Sequence, residues 1–260
     1  MKLPKITIRL FRVWQRDFDV FMKTWKTNFI PPILEPLLYI FAFGIGLGKL
    51  VNYVTYNGML IPYVKYIVPA LISISIMHSS FFENIYASFV RMYYQRTFDA
   101  IIVTPLSIDD VIGGEIIWGA TKGLFNATIM LIVILPFGLM HLPSSILILP
   151  LSFLGGLMFG SIAMIFTGIV PNIDSFNYPI FLFITPMFLF SGTFFPLDIL
   201  PEWAQFVAIF LPLTHLVNII RGLTLNNLTF NMILSLIYII SLGIVSFYLS
   251  IILMRRRLIQ

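Results

Sequence analysis

Glu83, Glu115 and Lys122 are ionisable residues set in or at the ends of long apolar stretches. A charge in a membrane-length segment is costly unless it pairs or faces water, so such residues mark charge pairs or gates along a solute path. Glu115 and Lys122 are seven positions apart, which on a helix puts them on one face about two turns from each other, too far to pair directly. Each therefore needs a partner on another helix, or water. The bland alternative for Glu83 and Glu115 is a solvated charge near a helix end; Lys122 lies deeper.

Covalent chemistry finds little support. His78, His141 and His215 are scattered without metal-ligand spacing and read as satisfied polar residues, so no metal site is expected. The chain has no cysteine, which excludes disulfides, cysteine-liganded metals and thiol catalysis. Gly48-Lys49 is followed by Leu50 where a phosphate loop needs Ser or Thr, and the upstream glycine spacing fails. No ATPase motif follows, and any ATP hydrolysis belongs to another polypeptide. Ser191-Gly192 and Ser73-Ile-Ser75 form no nucleophile elbow, so a membrane-embedded enzyme is the weaker reading.

The longest polar interruption in the middle of the chain runs from Ser88 to Glu115. Arg91, Gln95, Arg96 and Asp99 recur at helical spacings, Pro105 bars continuation, and Ser107 with Asp109 and Asp110 supplies the cap and first-turn acids of another helix. The pattern predicts a short amphipathic helix over Ser88 to Val103, a proline turn, and then a membrane span. A surface helix tied at both ends to spans transmits a push from a partner into the bilayer, which is the job of a cytosolic coupling element.

The elements that hold these residues are apolar helices. Of 260 residues 59% are hydrophobic and 10% charged, and the mean hydropathy is +0.97. This excludes an ordinary soluble domain and predicts an all-α polytopic membrane protein with one membrane domain filling the chain. Six crossings are expected: Phe29 to Leu50, Tyr63 to Phe82, Val111 to Leu135, Ile146 to Val170, a short one from Tyr178 to Phe190, and Met232 to Met254. Before them, over residues 1–28, Phe11, Trp14, Phe18, Phe21 and Trp25 step by three and four. Arg12, Arg16, Asp19, Lys23 and Lys26 step likewise on the other face, the pattern of an interfacial helix whose basic side meets anionic lipid or a cytosolic partner. Pro196, Pro201 and Pro212 divide the stretch around Leu197 to Ile220 into pieces too short to span, with Trp203 as an interfacial anchor, so residues 195–222 are expected to re-enter from outside. The net charge of +5 reflects basic residues at the N-terminus, around Arg91 and Arg96, and at Arg255, Arg256 and Arg257. The positive-inside rule explains these, with both termini cytosolic, better than nucleic-acid binding does; Lys49, Lys65 and Arg221 dissent.

Two stretches carry a family resemblance. RMYYQRTFDAIIVTPLSIDDVIGGEIIWGATKG, from Arg91, and FLFSGTFFPLDILPEWAQFVAIFLPLTHLVNIIRG, from Phe188, resemble the corresponding segments of type-2 ABC exporter permeases, most closely the branch of nodulation-factor exporters. The resemblance implies a transport subunit that works with two copies of a separate ABC ATPase, which would hold the ATP and Mg, and with a second permease copy as a homodimer in the inner (plasma) membrane. It implies an amphipathic cargo: a lipid-linked saccharide, a lipid or a drug. Residues expected against the ATPase are Arg91, Gln95, Arg96, Asp99 and, as a buried anchor, Phe98, together with Arg12 and Arg16. Glu83, Glu115, Lys122, Phe194, Pro196 and Trp203 are expected along the substrate path or gate. The competing reading is a secondary transporter or channel needing no ATPase. That class often shows inverted repeats and a midplane acidic site, and the sequence has neither.

Overall fold

The computed structural model describes residues 6–46 and 51–258. The expected end of the first span at Leu50, the Gly48-Lys49 pair and residues 1–5 of the expected interfacial segment lie outside the described residues.

The N-terminal amphipathic pattern forms α1 (Leu10–Lys23), which passes through Thr24 into α2 (Trp25–Tyr39) and a wide π-helical turn, Ile40–Gly46. The expected outside loop from Asn52 to Pro62 holds a hairpin, β1 (Tyr53–Tyr56) and β2 (Met59–Pro62). Its turn residues Asn57 and Gly58 both take positive φ, 49° and 75°, the conformation that an Asn-Gly pair is suited to supply in a tight hairpin.

Helix α3 (Tyr63–Phe82) does not stop where the second span was expected to end. It runs on through π-helical turns at Glu83–Ala87 and Val90–Tyr94, a 32-residue element from Tyr63 to Tyr94. The expected surface helix over Ser88 to Val103 is thus corrected. Ser88, Phe89 and Met92 are buried and prolong α3, the chain breaks at Arg96 in the left-handed region (φ 49°), and only the short α4 (Thr97–Ile102) follows. Helix α5 (Ile108–Ile134) starts as the sequence predicts: Ser107 Oγ accepts from the Asp110 N–H, and the Asp110 carboxylate accepts from the Ser107 N–H.

After α6 (Leu142–Ser145) and α7 (Ile148–Ile169), the short fifth span is a broken helical run: α8 (Asn177–Pro179), a π-helical turn at Ile180–Ile184, and α9 (Thr185–Phe190). The proline-divided segment becomes α10 (Glu202–Phe210) and α11 (Pro212–Thr224), bent by 87° at their junction. Pro201 precedes α10 and Pro212 opens α11, both positions that lack an N–H without loss. Helix α12 (Phe230–Leu258) closes the chain. Four described helices, containing α3, α5, α7 and α12, are long and apolar enough to cross a membrane, and the bent pair makes five if counted as one span.

Helix α3 is the innermost, flanked by α5 and α7, with α12 on α7. The close approach is made by glycines. A Cβ on Gly156 would lie 2.8 Å from the Ala120 Cα, and one on Gly160 2.8 Å from the Asn84 side-chain nitrogen. Gly119 leaves no room beside the same Asn84, whose amide donates to the Ser80 carbonyl at 3.0 Å. The small-residue face of α7 is therefore a helix-packing surface.

Candidate functional site

The ends of α3 and α5 that meet α1 hold a cluster of six charges. Arg91, on the last turns of the long α3 element, is its hub. Its Nη1 donates to Glu83 Oε1 at 2.9 Å, its Nε to Glu115 Oε2 at 2.9 Å and its Nη2 to the same Glu115 oxygen at 2.5 Å. The π-helical turns that carry Glu83 and Arg91 offset the regular helical step, and such turns recur at functional sites. Glu115, 0% exposed, also accepts from Ser88 Oγ at 2.6 Å and from Arg16 Nη2 at 3.2 Å. Glu83 accepts from Lys122 Nζ at 2.7 Å and from Trp118 Nε1 at 3.0 Å. On α1, Arg16 Nη2 pairs with Asp17 Oδ1 at 2.5 Å, and Arg91 Nε lies 3.9 Å from the same oxygen. Arg16, Arg91 and Lys122 thus balance Asp17, Glu83 and Glu115. A buried set of this kind stands only because each charge is matched and hydrogen-bonded.

The sequence requirement that Glu115 and Lys122 find partners on other helices is met in this way: Glu115 by Arg91 and Ser88, Lys122 by Glu83. Three residues of the cluster were not singled out. Asp17 sits on α1 in step with Leu10, Val13 and Phe21, the positions buried against the rest of the chain. That face is rotated from the aromatic stripe, whose Phe11 and Trp25 are exposed, and it turns Arg16 inward. An acid in an apolar 10, 13, 17, 21 series was the available signal. Ser88 and Trp118 carried none. The Asp17 carboxyl is raised from its usual 3.8 to about 7, first by burial and second by the Glu115 charge, against the pull of Arg91 and Arg16.

The residues expected against a partner ATPase divide. Gln95, Arg96 and Asp99 are exposed, and Arg12 is exposed with its guanidinium on Gln15. Arg91 and Arg16 instead spend their guanidinium groups inside the cluster. Phe98, expected as an anchor in a partner's cleft, is 0% exposed and packed in this chain's own core; α4 lies against α5 and the last turn of the α3 element, and Val103 is left outward, 87% exposed. The expected path residues divide too. Phe194, packed on Phe43 and Phe188, buried Pro196, and exposed Trp203, packed on Phe190, lie by the start of α3, where Tyr63 donates to the Phe194 carbonyl. The length of α3 separates them from Glu83 by about 30 Å.

At that far end Arg221 is buried. It donates to the Tyr66 and Gly192 carbonyls at 3.2 and 3.0 Å and stacks 3.8 Å over the Tyr66 ring. Carbonyls and aromatic faces meet the charge that dissents from the positive-inside pattern.

Below the cluster the ends of the helices are tied together. Arg255 of α12 makes two bonds to Asp109, Arg257 donates to the last carbonyls of α7 at Thr167 and Val170, and the Thr7 N–H and hydroxyl bond Asp110 at 2.7 and 3.0 Å. The loop of residues 95–105 therefore projects from a braced end.

The chain matches the family described as "ABC-2 type transporter" over residues 9–225. "Nodulation protein J" of Rhizobium meliloti (strain 1021) is 36% identical over 246 residues, 95% of this chain and 92% of that protein. The protein of the same name from Sinorhizobium fredii (strain NBRC 101917 / NGR234) is 34% identical over 258 residues, 99% and 97% of the two chains. "Inner membrane transport permease YadH" of Escherichia coli (strain K12) is 24% identical over 212 residues, 81% of this chain and 80% of that protein. No solved structure gives a significant match. A family match over most of the length, and full-length relatives above thirty per cent identity, show that the chain is a membrane permease belonging to the ABC-2 type transporter family.

Proposed function

We propose that the chain is the membrane-spanning subunit of an ATP-driven exporter in the inner (plasma) membrane, moving an amphipathic substrate out of the cytoplasm or inner leaflet. The resemblance to nodulation-factor exporters supports a cargo among lipid-linked saccharides, lipids and drugs, and the relative named an inner membrane transport permease supports the transport role. Two copies of a separate ATPase would carry the ATP and Mg, and two copies of this chain would form the path between them. The spans then number six, with α2 and its π turn as the first and the run from Asn177 to Phe190 as the fifth, both termini cytosolic, and the bent α10–α11 pair entering and leaving the outer leaflet.

The observation that carries this reading is the join between the exposed loop of residues 95–105 and the cluster. Arg91 lies on the continuous element that ends at Tyr94, four residues before Gln95 opens the loop, and its guanidinium binds α3 and α5 while reaching toward α1. A push on Arg96, Asp99 and Val103 is passed through Arg91 to Glu115 and to α1 on the membrane surface. The test is co-expression with a tagged ABC ATPase encoded beside this chain. Co-purification that Arg96→Glu with Val103→Ala abolishes, in protein that stays monodisperse, is the expected result. Substrate movement sustained by an ion gradient in proteoliposomes lacking any ATPase would overturn the reading in favour of a secondary transporter.

A further inference from the structure

A cavity of about 800 Å³ opens between α1, α2, the prolonged end of α3 and α5. Its walls combine two chemistries. Phe21, Phe29, Trp118 and Phe125 supply aromatic surface, while Arg16, Asp17, Glu83, Arg91 and Lys122 bring in the charge cluster.

The two signs of charge are not equally presented. Glu115, Asp17 and Glu83 are the buried ends of the cluster, whereas Arg16 and Lys122 keep 29% and 27% of their side chains exposed. Hydrogen-bonding capacity is left over on the same side. An ammonium has three donors, and among the described residues Lys122 has one hydrogen-bond partner, Glu83. Among the described residues Arg16 Nη1 is buried with no partner, and so is Asp17 Oδ2, on a side chain 3% exposed. Unmet polar groups in an apolar surround cost free energy until a ligand or water meets them. A phosphate-type oxyanion accepts from both cations at once, and aromatic walls beside it suit an alkyl or prenyl chain rather than a free ion.

We propose that this cavity binds an amphiphile whose head carries a phosphate-type oxyanion, held by Lys122 and Arg16, with its apolar chain lying along Phe21, Phe29 and Phe125. Asp17 fits the same ligand: its carboxyl, raised to about 7 by burial and by Glu115, carries a proton on part of the population near neutrality, and its open oxygen then donates to the oxyanion instead of repelling it. The groups that face it are Arg16 on its own helix, Arg91 on α3 and Glu115 on α5. The proposal deepens the exporter reading by assigning the charge of its cargo's head.

Trp118 lines the cavity, and the chain has four tryptophans. A variant with Trp14, Trp25 and Trp203 changed to Phe reports on the cavity alone. In phosphatidylcholine nanodiscs the full chain is titrated with a bromine-labelled phosphatidic acid or a bromine-labelled phosphatidylcholine, and quenching of Trp118 is read. We expect phosphatidic acid to be preferred about tenfold, a difference of about 1.4 kcal/mol. Lys122→Gln with Arg16→Gln should reduce the preference to about twofold or less, and Lys122→Arg should keep it. Should the double variant not fold, Arg16→Gln alone, which leaves Glu83 both its cations, reads the same loss. Equal quenching by the two lipids, an undiminished preference in Arg16→Gln, or full displacement by inorganic phosphate, which would make the site one for a free anion, each overturns the proposal. Neither ATPase nor transport enters the measurement, so this proposal and the exporter reading fail separately.

Discussion

Glu115→Gln is the substitution that most directly tests the charge cluster, because it removes one charge and almost no volume. Glu115 accepts from Arg91, Ser88 and Arg16 with no exposed surface of its own. Leaving one member of a buried pair unmatched costs about 3–5 kcal/mol. Two features place the expected loss at the lower end, about 3 kcal/mol. Glutamine keeps one oxygen for Ser88 or Arg91, and Arg91 keeps Glu83 at 2.9 Å. The assay is reversible unfolding in mixed micelles, with the double variant Glu115→Leu, Arg91→Met as its control. Removing both partners takes away the unmatched charge and should recover at least half of the loss, as apolar replacement of buried pairs does. A second signature comes from Asp17. Since the Glu115 charge is the second cause of its raised pKa, the midpoint of any Asp17-dependent transition should move below about 7 in Glu115→Gln. If Glu115→Gln unfolds within about 0.5 kcal/mol of the parent, the range of an ordinary surface change, the cluster is not the joint described above.

Stability should fall as pH rises through 7. The docked Asp17 holds a proton that an undocked α1 releases near 3.8, so its contribution is full below about 4 and is lost through about 7; unfolding at pH 5 and pH 8 should differ in the parent and agree in Asp17→Asn. Gly156→Ala should cost about 1–3 kcal/mol of stability, because its methyl meets the Ala120 backbone at 2.8 Å as well as Ser80 Oγ at 2.9 Å, and the backbone contact is not relieved by a side-chain rotation; unchanged stability would refute the close approach. Phe98→Ala should cost about 3–5 kcal/mol through loss of core packing and leave no specific defect in ATPase binding in the protein that folds, the opposite of Arg96→Glu; specific uncoupling by Phe98→Ala in stable protein would restore it as a docking anchor. Single cysteines placed at Arg12, Arg96 and Arg257 of this cysteine-free chain should be labelled only from the cytosolic side, and one at Asn227 only from outside; labelling at Arg96 from outside would overturn the orientation.

Legibility followed the range of the physics. Local signals held: the Ser107 cap and Asp110 in the first turn of α5 are set by four adjacent residues, and Pro201 and Pro212 stand at the starts of α10 and α11, where the ring is accommodated without loss of a hydrogen bond. The Asn57-Gly58 hairpin was equally local, and its turn signal was in the sequence. What could not be read was orientation about a helix axis. Phe98 and Arg96 are two residues apart, so nearly opposite on a helix, and only packing against the rest of the chain decides which points inward. Arg91 likewise stands in a polar run that suggests a surface helix, until Glu83 and Glu115, eight and twenty-four residues away, claim it.

The same comparison explains how one arginine serves two ends. A coupling element needs an exposed face for a partner and a rigid stem to carry the load, and a short amphipathic helix lying on headgroups has only the first. In the proposed exporter the stem is the last turns of α3, buried at Phe89 and Met92, and the exposed face begins where Arg96 breaks the helix. Because Arg91 is matched on α3 and α5 and is near Asp17 of α1, displacing the stem must break matched charges or carry all three helices with it. Breaking them costs several kcal/mol, whereas tilting α1 within the membrane interface proposed for it exchanges one partly apolar surface for another. The lower-cost response to a push on the loop is therefore movement of α1 and α2, and these helices form one wall of the cavity that Arg16 and Lys122 line.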